Sequence, residues 1–182
     1  LADCLKEIAK ACARKPLYLY HVPCMTHANL PIRDLLPIMA QECPEFAGIK
    51  YTDENLCEFQ RCVDYSDRFQ IMFGRDEMLL ASLAAGAEAG VGSTYNYFPR
   101  LYRELLKAYE AGDIERARSF QELTHRGIVL IGRYGMSSQK LYMKFAGLDV
   151  GPMRLPAPRL PLERELAFRR DIAEAGLDPW LG

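Results

Sequence analysis

Four short runs rich in aromatic and aliphatic residues begin at Leu17, Phe46, Phe69 and Ala89, and each is separated from the next by one stretch of helical periodicity. Strands spaced this way are too far apart for hairpins and must return through helical crossovers, which makes them parallel. The chain is therefore expected to be α/β. The runs are LYLYHV (17–22, ended by Pro23), FAGIKY (46–51), FQIMF (69–73) and AGVG (89–92). Leu1, Cys4, Leu5, Ile8 and Cys12 form the apolar side of a leading helix until Pro16. Pro31 suits the first turn of a second helix reaching Cys43, with Pro37 expected to kink or shorten it. Thr52 or Asp53 should cap a third, carrying Leu56, Phe59 and Val63 on one side. The next begins near Gly74-Arg75-Asp76-Glu77, and another follows Pro99.

After Gly112 the strands cease. Residues 113–134, 137–148 and 161–176 read as helices, with a proline-rich joint, GPMRLPAPRLP, between the last two. Four β/α units followed by a helical tail are half a (β/α)8 barrel with an extension, or else a small open sheet. The 182 residues are fewer than the ~250 typical of a closed barrel. The expected organisation is residues 1–112 as the second half of a barrel and 113–182 as a C-terminal helical extension, with the first half of the barrel absent.

Composition narrows the function classes. Apolar residues at 49% and charged residues at 26% describe an ordinary globular protein. With 23 Lys and Arg against 24 Asp and Glu, no broad field favours nucleic acid or anionic lipid. No apolar run approaches a membrane span and no leader pattern opens the chain, so the expectation is cytoplasmic. All 6 cysteines lie in the first 62 residues without a C-x-x-C pair. A disulfide framework or zinc ribbon is disfavoured, and most are expected to be reduced, core-filling thiols.

Lys50 is the anomaly among the strands, since its neighbours Phe46, Ala47, Gly48 and Ile49 suit a buried one. Alternation puts Gly48, Lys50 and Thr52 on one face, near the carboxyl end where parallel α/β folds build their sites. An ordinary lysine, with a pKa of about 10.4, is scarcely ever neutral at pH 7. Burial depresses that value and makes the amine a nucleophile toward a ketone. The commoner account of such a lysine is one that snorkels into water. Tyr20 ends the preceding strand, and adjacent parallel strands would bring it to the same rim, although buried tyrosines usually only pack. Asp76 and Glu77 are most simply helix-start carboxylates favoured by the dipole. Alternatively they accept hydrogen bonds from substrate hydroxyls. Gly90-Val91-Gly92 lacks the third glycine of a dinucleotide fingerprint. His21, Cys24 and His27 are evenly spaced, but Pro23 and strand alternation divide them, so no metal site is assigned. Met72, Met78 and Met143 read as core filler, and Arg164, Arg169 and Arg170 as the wet side of a terminal helix.

Taken in order, YHVPCMT, GIKYT, FGRDEMLLASLAAGAEAGVGSTYNY and GPMRLP resemble the dihydrodipicolinate synthase and N-acetylneuraminate lyase family of class I aldolases. The resemblance covers nearly the whole chain. It implies a (β/α)8 barrel, usually homotetrameric, using no cofactor and acting on small sugar acids and pyruvate. By the resemblance, Lys50 is the Schiff-base lysine and Tyr20 the proton-transferring tyrosine. Thr52, Gly74, Asp76, Glu77 and Ser93 match positions that hold the polyhydroxylated part of the substrate. The implied reaction is reversible cleavage of sialic acid to N-acetylmannosamine and pyruvate. Members that make dihydrodipicolinate place an arginine where this chain has Met25, which lacks the charge-assisted bond to a carboxylate. His27 stands where the commonest version of the loop has glycine, a residue that serves unusual backbone angles. The family's Gly-Ser/Thr-Thr-Gly-Glu segment, which binds the pyruvate carboxylate, occurs nowhere in the sequence. The implied alternatives are another pyruvate-dependent aldolase with a different sugar acid, or an inactive or merely ligand-binding piece.

Overall fold

The structure, a computed structural model, describes residues 1–12 and 15–182. These form two compact units, Leu1–Gly92 and Ser93–Gly182. The first holds all four strands, β1 (Leu17–His21), β2 (Phe46–Tyr51), β3 (Gln70–Phe73) and β4 (Ala89–Gly90), in one parallel sheet of order β1-β2-β3-β4. Its helices are α1 (Ala2–Ala11), α2 (Pro23–Thr26), α3 (Ile32–Glu42), α4 (Leu56–Val63) and α5 (Leu79–Ala84).

Because every strand lies beside its predecessor and the order never reverses, successive crossovers put their helices on the same face. A doubly wound sheet reverses direction and covers both faces. Here one face is covered: Leu5 and Ala9 of α1, Ile32, Leu36 and Met39 of α3, and Phe59 and Cys62 of α4 pack with Phe46, Ile49, Tyr51, Ile71 and Phe73. The other face carries Tyr18 and Tyr20, 41% and 49% exposed, with Gln70 also exposed and Lys50 and Met72 half-buried. This is the winding of a (β/α)8 barrel, of which four units are present; the bare face is the one a barrel turns inward.

Several local expectations change. The leading helix ends at Ala11, and residues 13 and 14 lie outside the described residues. The helix after β2 is capped by Asn55, whose Oδ1 accepts the Glu58 N–H at 3.1 Å, instead of by Thr52 or Asp53. Thr52 continues the sheet, its N–H donating to the His21 carbonyl at 2.8 Å. Pro37 does not shorten α3, which runs on to Glu42. One interior proline costs about 3 kcal/mol, while burying Ile32, Leu35, Leu36 and Met39 contributes ~1.5–3 kcal/mol each. All six cysteines are free, but only Cys43 and Cys62 are buried, whereas Cys4, Cys24 and Cys57 are exposed. The expectation that most fill the core fails because the inward stripes of α1 and α4 are set by Leu5, Ala9, Phe59 and Cys62, leaving Cys4 and Cys57 outside them.

The second unit contains α6 (Pro99–Glu110), α7 (Ile114–Tyr134), α8 (Ser138–Phe145) and α9 (Leu162–Glu174). Asp113 caps α7 through Oδ1 to the Arg116 N–H. Sequence reading divides the chain at Gly112, whereas the compact units part after Gly92, because α6 packs along α7. Gly127 of α7 permits that approach: a Cβ there would lie 2.6 Å from the Phe98 ring. Tyr142 stacks on Tyr97 at 4.7 Å and donates its hydroxyl to the Gly127 carbonyl at 3.0 Å. Arg164, Arg169 and Arg170 are exposed on α9, Arg169 pairing with Asp178. Among the described residues no helix is long and apolar enough to cross a membrane.

Candidate active site

Tyr20 and Lys50 are register partners on the adjacent parallel strands β1 and β2. In-register residues of neighbouring strands point to the same face, and here that is the bare one. The Lys50 Nζ lies 4.0 Å from the centre of the Tyr20 ring, within cation–π range. Lys50 is half-buried and Tyr20 half-exposed, so this chain alone supplies less enclosure than the sequence reading asks of the amine. One step along the strands, Tyr18 and Gly48 are also partners, and the Tyr18 hydroxyl donates to Gln70 Oε1 of β3 at 2.9 Å.

The other candidates of the first unit gather just past the strand ends. Gly74 follows β3, and its N–H donates to the Tyr51 carbonyl at 2.7 Å. A side chain there would meet Thr52 Oγ1 at 1.9 Å, so glycine is what lets Thr52 occupy its place. Thr52 is buried, and its Oγ1 has no hydrogen-bond partner. Asp76 is 8% exposed, in the short 3-10 turn Asp76–Met78 that leads into α5. Its carboxylate sits against Gly92, where a Cβ would come within 2.4 Å of Asp76 Cγ. Glu77 accepts a hydrogen bond through Oε1 from Arg75 Nη1 at 3.0 Å. Ser93 begins the second unit, where it lines a cavity with Asn96, Tyr97 and Met136, and its carbonyl accepts from Asn96 Nδ2 at 2.9 Å.

Behind the bare face, His21 and Tyr51 form the next register pair, their rings 5.2 Å apart. Burial holds the His21 imidazole below its ordinary pKa, against the opposing pull of Asp53, 3.9 Å away, and of Glu58. Burial likewise pushes the Tyr51 phenol up, and its hydroxyl donates to the Asn55 carbonyl. His21 thus lies on the helix-covered side while Cys24 on α2 and His27 at its C-terminal end are exposed, and the three do not converge. Met25 is 75% exposed on α2. His27 adopts φ +55°, the left-handed conformation, the one non-glycine residue to do so among those described.

A model of the dihydrodipicolinate synthetase family matches residues 1–175. The chain belongs to that family. Within it, the human protein named N-acetylneuraminate lyase is 36% identical over 97% of this chain, and the mouse protein of that name 37% over the same share. This chain spans 55% of the length of each. The solved structure of Proteus mirabilis N-acetylneuraminate lyase superposes with a TM-score of 0.90 at 29% identity, covering 97% of this chain and 60% of that one.

Sequence reading of this family member missed Arg75 as a participant. Its Nη2 donates to Glu54 Oε1 at 2.8 Å while Nη1 holds Glu77. Arg75 is visible in the GRDE string, but Glu54 stands 21 residues earlier, and only the parallel pairing of β2 and β3 brings their loops together. The Tyr18–Gln70 bond was hidden for the same reason.

Proposed function

We propose that this chain carries the Schiff-base half of an N-acetylneuraminate lyase, acting within a longer enzyme. One observation carries the reading: Lys50 and Tyr20 are paired in register on the uncovered sheet face, with the amine 4.0 Å from the phenol ring. Lys50 condenses with the C2 carbonyl of the open-chain sugar acid, releasing water. The protonated imine receives the electron pair freed when the C3–C4 bond breaks, while Tyr20 takes the C4 hydroxyl proton. N-acetylmannosamine departs, C3 is protonated, and hydrolysis of the imine returns pyruvate and the free lysine. In the synthetic direction Tyr20 gives the proton back. Thr52, Gly74, Asp76, Glu77 and Ser93 hold the substrate, an assignment supported by Thr52, Asp76 and Glu77 lying at the strand ends in the same unit as Lys50. The active form is a homotetramer of the complete chain, and the free state of all six thiols fits the cytoplasm.

Borohydride reduction in the presence of pyruvate tests the mechanism. In the complete protein it should add one reduced pyruvyl group to the peptide containing Lys50, and Lys50→Ala should abolish the addition. An unchanged mass, or modification of another lysine, overturns the assignment. A panel of sugar acids separates sialic acid from another substrate of the same reaction type. The 182 residues alone should show no turnover, since the segment expected to anchor the pyruvate carboxylate is not among them.

A further inference from the structure

We propose that Arg75, through its bridge between Glu54 and Glu77, is a positioning residue that sets the affinity of the site for an anionic polyhydroxylated substrate; this rests on the assignment of Glu77 to substrate binding made above. The guanidinium reaches Glu77 Oε1 with Nη1 at 3.0 Å and Glu54 Oε1 with Nη2 at 2.8 Å. Those carboxylates stand on different loops, one after β2 and one after β3. A planar fork held at both ends fixes its own plane, and with it the orientation of the Glu77 carboxylate. The third donor supports this: Arg75 Nε is buried without a partner. A surface ion pair free to choose its geometry would turn that donor to water; this one is held by its ends instead.

Charge gives the bridge a second consequence. Asp76 and Glu77 are adjacent carboxylates, and Glu54 is drawn to the same spot by Arg75. A sugar acid brings a further negative charge. Without the guanidinium, an acceptor cluster suited to hydroxyls would also repel the substrate as a whole. Arg75 therefore aims one acceptor and offsets the cluster's charge, without itself contacting the reacting atoms.

Arg75→Ala in the complete protein should raise KM for the sugar acid about five- to tenfold, the equivalent of one oriented hydrogen bond, with kcat changed less than KM. Part of that rise should disappear at high ionic strength, as screening removes the repulsion. Arg75→Lys, which keeps the charge but not the fork, should fall between parent and alanine variant. Borohydride trapping on Lys50 at saturating pyruvate should reach the same extent as in the parent, because pyruvate has no polyol to lose and excess keto acid overcomes the added repulsion of its carboxylate. An unchanged KM in Arg75→Ala overturns the proposal. So does a parallel loss of trapping and KM insensitive to salt, which would mark Arg75 as structural only. If the parent itself fails to trap pyruvate, the Schiff-base reading falls and the proposal with it.

Discussion

Gly74→Ala tests whether the strand-end packing around Lys50 is as tight as the geometry indicates. The new methyl would lie 1.9 Å from Thr52 Oγ1 and 2.9 Å from Thr52 Cβ, with the Tyr51 carbonyl oxygen at 3.1 Å. Turning the hydroxyl away relieves the first overlap but not the second, and a β-branched side chain has few χ1 wells to turn into. Thr52 is buried, so the strain is shared with β2 and β3 instead of escaping to solvent. Overpacking of this kind costs ~1–3 kcal/mol, and the close Cβ contact puts the expectation in the upper half, at about 2 kcal/mol. Urea unfolding of the chain, followed by circular dichroism, measures it as a fall in midpoint at unchanged m-value. Adding Thr52→Ala to Gly74→Ala should recover about 1 kcal/mol, since residues in contact couple while distant ones add. A loss below ~0.5 kcal/mol, within the range of ordinary surface substitutions, or strict additivity in the cycle, would refute the contact argument.

Two glycines of α7 should respond oppositely to the same change. Gly127→Ala drives a methyl to 2.6 Å from the Phe98 ring and should destabilise by ~1–3 kcal/mol, whereas Gly132→Ala meets nothing within 4 Å and should stabilise by up to ~1 kcal/mol; thermal midpoints of the two variants decide it. His27→Gly removes a non-glycine residue from φ +55°, a gain of ~1 kcal/mol or more partly offset by glycine's greater freedom when unfolded. A small rise in midpoint is expected, and a fall would mean that His27 makes a stabilising contact. His21 has its pKa lowered by burial in the folded chain, so the unfolded chain binds the proton more readily. Its contribution to stability is therefore full above the unfolded pKa of about 6.5 and is lost as pH falls from there through the folded value. Unfolding midpoints measured from neutral pH downward should decline over that window, and less steeply in His21→Phe.

The succession of elements was legible because it is written in local patterns. Alternating apolar runs and helical stripes place the four strands within a residue or two, and Asp113 and Pro99 mark helix starts where the structure has them, whereas Pro23, read only as the end of a strand, also opens the short helix α2. Alternation also put Lys50 and Tyr20 on one face and His21 on the other. Caps were less legible: Thr52 is as good a capping residue as Asn55 by type, but the sheet claims its backbone N–H first. The exposed cysteines, the unbroken α3 and the division after Gly92 likewise depend on what each side chain packs against, not on its own identity.

Sequence alone, then, determined that the strands are parallel, in which order the helices separate them, and which lysine and tyrosine share a rim. Tertiary structure decided that α1, α3 and α4 pack on one side of the sheet, that Gly74 and Gly92 are hollows filled by Thr52 and Asp76, and that Arg75 ties two loops together. The physical reason is range. Periodicity and capping act over a few residues, whereas the register of β1, β2 and β3 brings together residues 21 to 52 positions apart, and no local pattern encodes which pairs will meet.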